Sequence, residues 1–170
     1  MQSILPALLE TPALGLAALT QTLGALVRIN SVNPAYGGPP RGEADVVAWL
    51  ENFLTGQGAA CRRILSVAGR PCLRVRLEGV QPGPALLFQT HVDTVSIQGM
   101  TIDPLAGRVE GGRLLGRGAT DAKAQVAAMD HALLAWLQLG RRPPRTIELA
   151  LCCDEEHGFG GAEAVLQMSE

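Results

Sequence analysis

Thr146-Ile147-Glu148-Leu149-Ala150-Leu151-Cys152-Cys153-Asp154-Glu155-Glu156-His157-Gly158 sets a run of apolar residues directly against three consecutive acids and a glycine. The run reads as a buried strand, and the acids stand where that strand would end. The residues before it, 122–139, are rich in Ala and Leu and predict a long helix, stopped by Gly140 and Pro143-Pro144. A helix feeding a buried strand is the signature of an α/β fold.

The same alternation extends toward the N-terminus. Ala85-Leu86-Leu87-Phe88 reads as a second, central buried strand, set off by Gln81-Pro82-Gly83-Pro84. Residues 72–77 alternate apolar and charged side chains, as a strand with one wet face does. Residues 108–115 read as a hairpin, because Gly111-Gly112 supplies the positive φ that a tight turn requires. Residues 13–29 carry Leu16, Leu19, Leu23, Leu26 and Val27 at helical spacing and stop at Asn30-Ser31-Val32-Asn33-Pro34. A Gly- and Pro-rich loop over 34–42 leads to a second amphipathic helix over 43–56, and a last helix starts near Gly161 and runs to the end. The expectation is one α/β unit over residues 1–170, a three-layer sandwich about a mainly parallel sheet, with no repeat, low-complexity tract or linker.

Composition narrows the function classes. With 47% hydrophobic and 18% charged residues the chain suits a globular domain with a core, not a disordered one. Fourteen basic against sixteen acidic residues, net −2, leave no basic footprint for nucleic acid or an anionic membrane surface. The apolar first 19 residues lack a basic n-region and are broken by Pro6, Glu10 and Pro12, so a cytoplasmic location is expected. No stretch has about 18 uninterrupted apolar residues. Cys61, Cys72, Cys152 and Cys153 show no metal-ligand spacing and are expected to be reduced, mostly buried thiols.

Three segments bearing chemistry lie where strands end or a helix begins, the edge at which ligands collect in open α/β sheets. In Thr90-His91-Val92-Asp93-Thr94-Val95, extended backbone puts His91 and Asp93 on one side, so Asp93 is placed to hold the imidazole. Gly116-Arg117-Gly118-Ala119-Thr120-Asp121-Ala122-Lys123 delivers a carboxylate at the start of the long helix. In Asp154-Glu155-Glu156-His157-Gly158, neighbouring glutamates point apart and can serve different tasks. Taken singly, an HxD is more often structural and an acidic triplet more often a solvated loop.

Together and in this order, HxDTV, GRGxxDxK and DEExGxxGA resemble the acetylornithine deacetylase, succinyl-diaminopimelate desuccinylase, aminoacylase and carboxypeptidase G family of dinuclear zinc peptidases. Ser31-Val32-Asn33-Pro34 shares in the resemblance. It implies His91 as ligand of one zinc, Asp121 as the bridge, Glu156 as ligand of the other, Glu155 as general base and Asp93 as the acid behind His91. Two zinc ions, with cobalt or manganese as alternatives, and an N-acyl amino acid or small peptide as substrate follow from the same match. Lys123, His131 and His157 are left outside the site, His131 as a packed or surface histidine and His157 as a loop histidine.

The resemblance also implies what is missing. Ala124 stands where the family usually has Gly. A further acidic ligand, a late histidine and an inserted lid domain, through which the complete enzyme is expected to dimerise, have no counterpart in these 170 residues. The chain therefore reads as the N-terminal portion of a metallohydrolase catalytic domain, inactive by itself, with an unpaired sheet edge that invites association. The competing reading is a truncated, inactive remnant kept as a structural or interaction module.

Overall fold

The computed structural model describes residues 4–66 and 68–167. Helix α1 (Leu5–Leu9) and a 3-10 turn (Pro12–Leu14) lead into α2 (Leu16–Arg28), a second 3-10 turn (Pro34–Tyr36) and α3 (Ala44–Gly56). Strands β1 (Ala60–Leu65), β2 (Pro71–Leu77) and β3 (Leu86–His91) follow, then the hairpin β4 (Arg108–Glu110) and β5 (Arg113–Leu115), α4 (Lys123–Gln138), β6 (Ile147–Cys152) and α5 (Gly160–Leu166). The expected continuation of the last helix to residue 170 lies outside the described residues.

The main sheet has the order β1-β2-β6-β3. Strand β2 runs antiparallel to both β1 and β6, and only β3 and β6 are parallel. The α/β class stands, and the sheet is mixed where a mainly parallel one was expected. The reason lies in the connections. A short turn, closed by Ser66 N donating to Arg70 O, joins β1 to β2 and forces an antiparallel pair, whereas the path from β3 to β6 contains α4 and permits a parallel one.

Alternation along the strands divides the interior into two layers. Leu73, Val75, Leu149 and Leu151 face Leu26 of α2, Val46, Val47, Leu50 and Leu54 of α3, and Val126, Leu133 and Leu134 of α4. Cys72, Ala150 and Cys152 face Ala164 and Val165 of α5. All four cysteines are free, and Cys72, Cys152 and Cys153 are buried. On the face of β2 opposite Leu73 and Val75, half-buried Arg74 and exposed Arg76 both pair with the buried Glu148.

One strand expectation needs correction, and one strand was not anticipated. Residues 86–88, read as a central strand, form an edge: among the described residues β3 pairs only with β6, and Leu86, Leu87 and Phe88 are exposed. An apolar run reports a demand for cover but not which element supplies it. Strand β1 carried no signal, because only Ile64 of its six residues is buried. The hairpin turn does contain Gly111 and Gly112 at φ 54° and 75°.

The N-terminal segment is strapped to α4 at one residue. Ala13 N donates to Gln138 Oε1 at 2.8 Å, and His131 Nδ1 donates to Ala13 O at 2.6 Å. His131 Nε2 lies 2.8 Å from the Thr22 hydroxyl, which can serve the ring nitrogen as donor or acceptor. Among the described residues no helix is long and apolar enough to cross a membrane.

Candidate metal centre

Parallel pairing of β3 and β6 brings their C-terminal ends together, with His91 opposite Cys152. Because α4 is the crossover between them, its start lies at that same edge. Three sequence segments separated by 30 residues or more thus converge by topology alone. One ligand atom each from His91, Asp121 and Glu156 lies within 4.8 Å of the others.

The imidazole is oriented from behind. His91 Nδ1 lies 3.2 Å from Asp93 O and 3.4 Å from Asp93 Oδ1. Its Nε2 faces the acids, 3.1 Å from Asp121 Oδ1 and 3.6 Å from Glu155 Oε2. Asp93 is fully buried and well supplied with donors. Asn33 Nδ2 donates to it at 2.8 Å, and the backbone N–H groups of Glu155 and Glu156 donate to its two oxygens at 3.1 Å each. One carboxylate therefore fixes both the histidine and the turn that carries the two glutamates.

The charges respond to this crowding. Burial opposes the charged form of His91, but the Asp93 carboxylate, with Glu155 and Asp121, pushes it up to about 9. Burial also opposes the charge on Asp93, and His91, Asn33 and the two backbone donors pull it below the usual carboxylate range. Glu156 is raised, first by burial and then by Asp121, Asp93 and Glu155 against the pull of His91. An oriented imidazole nitrogen facing several carboxylate oxygens is a donor set suited to a divalent cation. His91 must lose its proton to take that role.

The Ser31–Tyr36 segment has a role that its sequence only hinted at. Asn33 N donates to Thr94 O and Thr94 N to Ser31 O, pinning this segment beside the backbone that follows β3. Asn33 then spans Asp93 and Asp154, and the Tyr36 hydroxyl donates to Glu156 O at 2.7 Å.

Other residues fall outside the cluster. Lys123 is buried, and its Nζ donates to Leu26 O and Ile29 O at the end of α2. Burial pulls its pKa down to about 7. His157 is exposed and meets the Tyr36 ring edge-on at 6.0 Å. Ala124 lines a groove with Leu16, Leu23 and Leu114, which none of the three ligand candidates lines. Arg70 and Glu43, which reach Asp154, were missed altogether: a charge in a turn and an acid at a helix start both look like solvent residues.

Residues 87–170 match the model of Peptidase family M20/M25/M40. The succinyl-diaminopimelate desuccinylase of Rhodospirillum centenum is 32% identical over 142 residues, covering 77% of this chain and 33% of that protein. The enzyme of the same name from a Methylobacterium species is 36% identical over 117 residues, covering 66% of this chain and 28% of that protein. The chain spans about a third of the length of these curated relatives. Among solved structures, human carnosine dipeptidase 1 superposes with a TM-score of 0.78 at 24% identity, over 98% of this chain and 38% of that one. Aminopeptidase PepT from Bacillus cereus does so with 0.67 at 26% identity, over 86% and 38%.

Proposed function

Since this chain belongs to Peptidase family M20/M25/M40, we propose that its 170 residues form the N-terminal portion of the catalytic domain of a metal-dependent amide hydrolase. The substrate class is N-acyl amino acids or small peptides, with desuccinylase or deacetylase chemistry favoured by the desuccinylases it resembles. In this reading His91 would hold one zinc ion, Glu156 the other, and Asp121 both. The observation that carries it is the convergence of these three side chains at one sheet edge.

The ions, when bound, supply a Lewis acid for the scissile carbonyl and lower the pKa of the attacking water. The chain's own residues do the rest. Asp93 holds His91 with Nε2 turned to the site. Glu155, about a third exposed and 3.6 Å from that nitrogen, accepts the proton of the attacking water and returns it to the leaving amine.

A catalytic zinc usually takes about three protein ligands. Here His91 and Asp121 serve one ion and Asp121 and Glu156 the other, so the 170 residues alone bind zinc weakly and hydrolyse nothing. Calorimetric titration with zinc chloride tests the assignment: His91→Ala and Glu156→Gln each weaken binding about tenfold or more, while His157→Ala leaves it unchanged. Equal affinities across all of these proteins would refute the ligand set.

A further inference from the structure

Glu155 and Glu156 follow a residue whose backbone is unusual. Asp154 sits at φ 61°, in the left-handed region that few L-residues other than Asn and Asp enter. Its carbonyl accepts from Gly158 N and Phe159 N, which closes the turn without choosing its place. The place is set by side chains. Arg70 Nη1 donates to Asp154 Oδ1 at 2.6 Å, and Asn33 Nδ2 reaches the same oxygen at 3.0 Å.

Arg70 is itself held. Its Nε donates to Glu43 Oε2 at 2.9 Å and its Nη2 to Glu43 Oε1, a two-pronged contact with a fully buried carboxylate at the start of α3. Glu43 Oε1 also accepts from Asp154 N at 3.2 Å. A continuous chain of hydrogen bonds therefore runs from Glu43 through Arg70, Asp154, Asn33 and Asp93 to His91. None of Glu43, Arg70 and Asp154 is among the three ligand candidates.

We propose that Arg70, clamped by Glu43, is a positioning residue that sets the turn carrying Glu155 and Glu156 against His91. Asp93 ties the turn from the β3 side, and Arg70 ties it from the β1–β2 turn and α3. With both ties in place, Glu156 keeps its spacing from His91 before any ion arrives. The consequence for metal affinity rests on the ligand set proposed above, whereas the consequence for the turn does not.

The test uses the 170-residue chain, with cobalt(II) chloride as the probe and Leu54→Ala, a core change remote from the turn, as the control for lost stability. Arg70→Met weakens cobalt binding about tenfold and shifts its visible absorption band. Arg70→Lys, which keeps the charge but not the fork, weakens it about threefold. Leu54→Ala stays within about twofold of the parent despite its lower Tm. In metal-free protein, amide exchange at Glu155 and Glu156 speeds up about tenfold in Arg70→Met relative to the amides of β6, and not in Leu54→Ala. Unchanged exchange in Arg70→Met overturns the proposal, whatever cobalt does. Faster exchange with no His91-dependent cobalt binding in the parent supports the brace and counts against the ligand set instead.

Discussion

Asp93, at the sheet edge beside the ligand candidates, and Asp130, inside α4, are both fully buried, yet their surroundings are opposite. Asp93 receives hydrogen bonds from Asn33 and two backbone N–H groups and faces His91. Neither oxygen of Asp130 has a hydrogen-bond partner among the described residues. Asp93 is held below its ordinary range despite burial, and burial alone drives Asp130 well above it. A carboxylate with donors on every side organises its neighbours, and one without them is best accommodated as a neutral acid.

The largest expected effect comes from removing the organised partner. Asp93→Ala strands the two backbone donors, removes the carboxylate beside His91 and leaves the Asn33 amide only Asp154 to bond, and lowers stability by about 3–5 kcal/mol, read as a shift of the urea midpoint. Loss below about 1 kcal/mol would mean that the turn is held without Asp93. A conservative change at the same node is next. Asn33→Asp keeps the shape but replaces a donor with an acceptor between Asp93 and Asp154, so it lowers stability by about 2–3 kcal/mol. Part of that loss recovers as acidification neutralises one of the three carboxyls, which urea titration at pH 7 and pH 4 will read.

The contrast between these two aspartates also marks what a sequence can disclose. His91 and Asp93 were legible as a pair because extended backbone repeats every two residues, and the approach of their side chains follows from that period. Asp121 and Glu156 emerged only from the resemblance of three motifs in order, since each motif alone is commonplace. The partners that complete the turn were not legible. Arg70 lies 84 residues from Asp154 and 27 from Glu43, and nothing in its own segment announces either contact.

The fold divides along the same line. The Gly111-Gly112 turn and the helices at 16–28 and 44–56 are local and could be read locally. The order of the strands depends on which edges meet, so β3 moved from the centre to an edge although its composition had not misled about burial demand. Lys123 turned inward for a similar reason. The carbonyls that end α2 need donors, and the helix start that supplies one is nearly a hundred residues away.

The smallest effect, and the one that most sharpens the comparison, belongs to Asp130. Asp130→Leu replaces an unpartnered acid with an apolar side chain in a helix whose Val126, Leu133 and Leu134 already join the core. It raises stability by about 1–2 kcal/mol at pH 7. The sign with pH follows from linkage. Because the folded pKa of Asp130 lies above the 3.8 of an ordinary carboxyl, its contribution is intact below that value and is lost as pH rises toward the folded pKa. Asp93, whose folded pKa is lowered, contributes above 3.8 and loses that contribution as pH falls. The advantage of Asp130→Leu over the parent should therefore be larger at pH 8 than at pH 4 in paired urea titrations. An advantage that does not change with pH would show that Asp130 ionises freely when folded, and the two aspartates would then differ in their contacts but not in their charge.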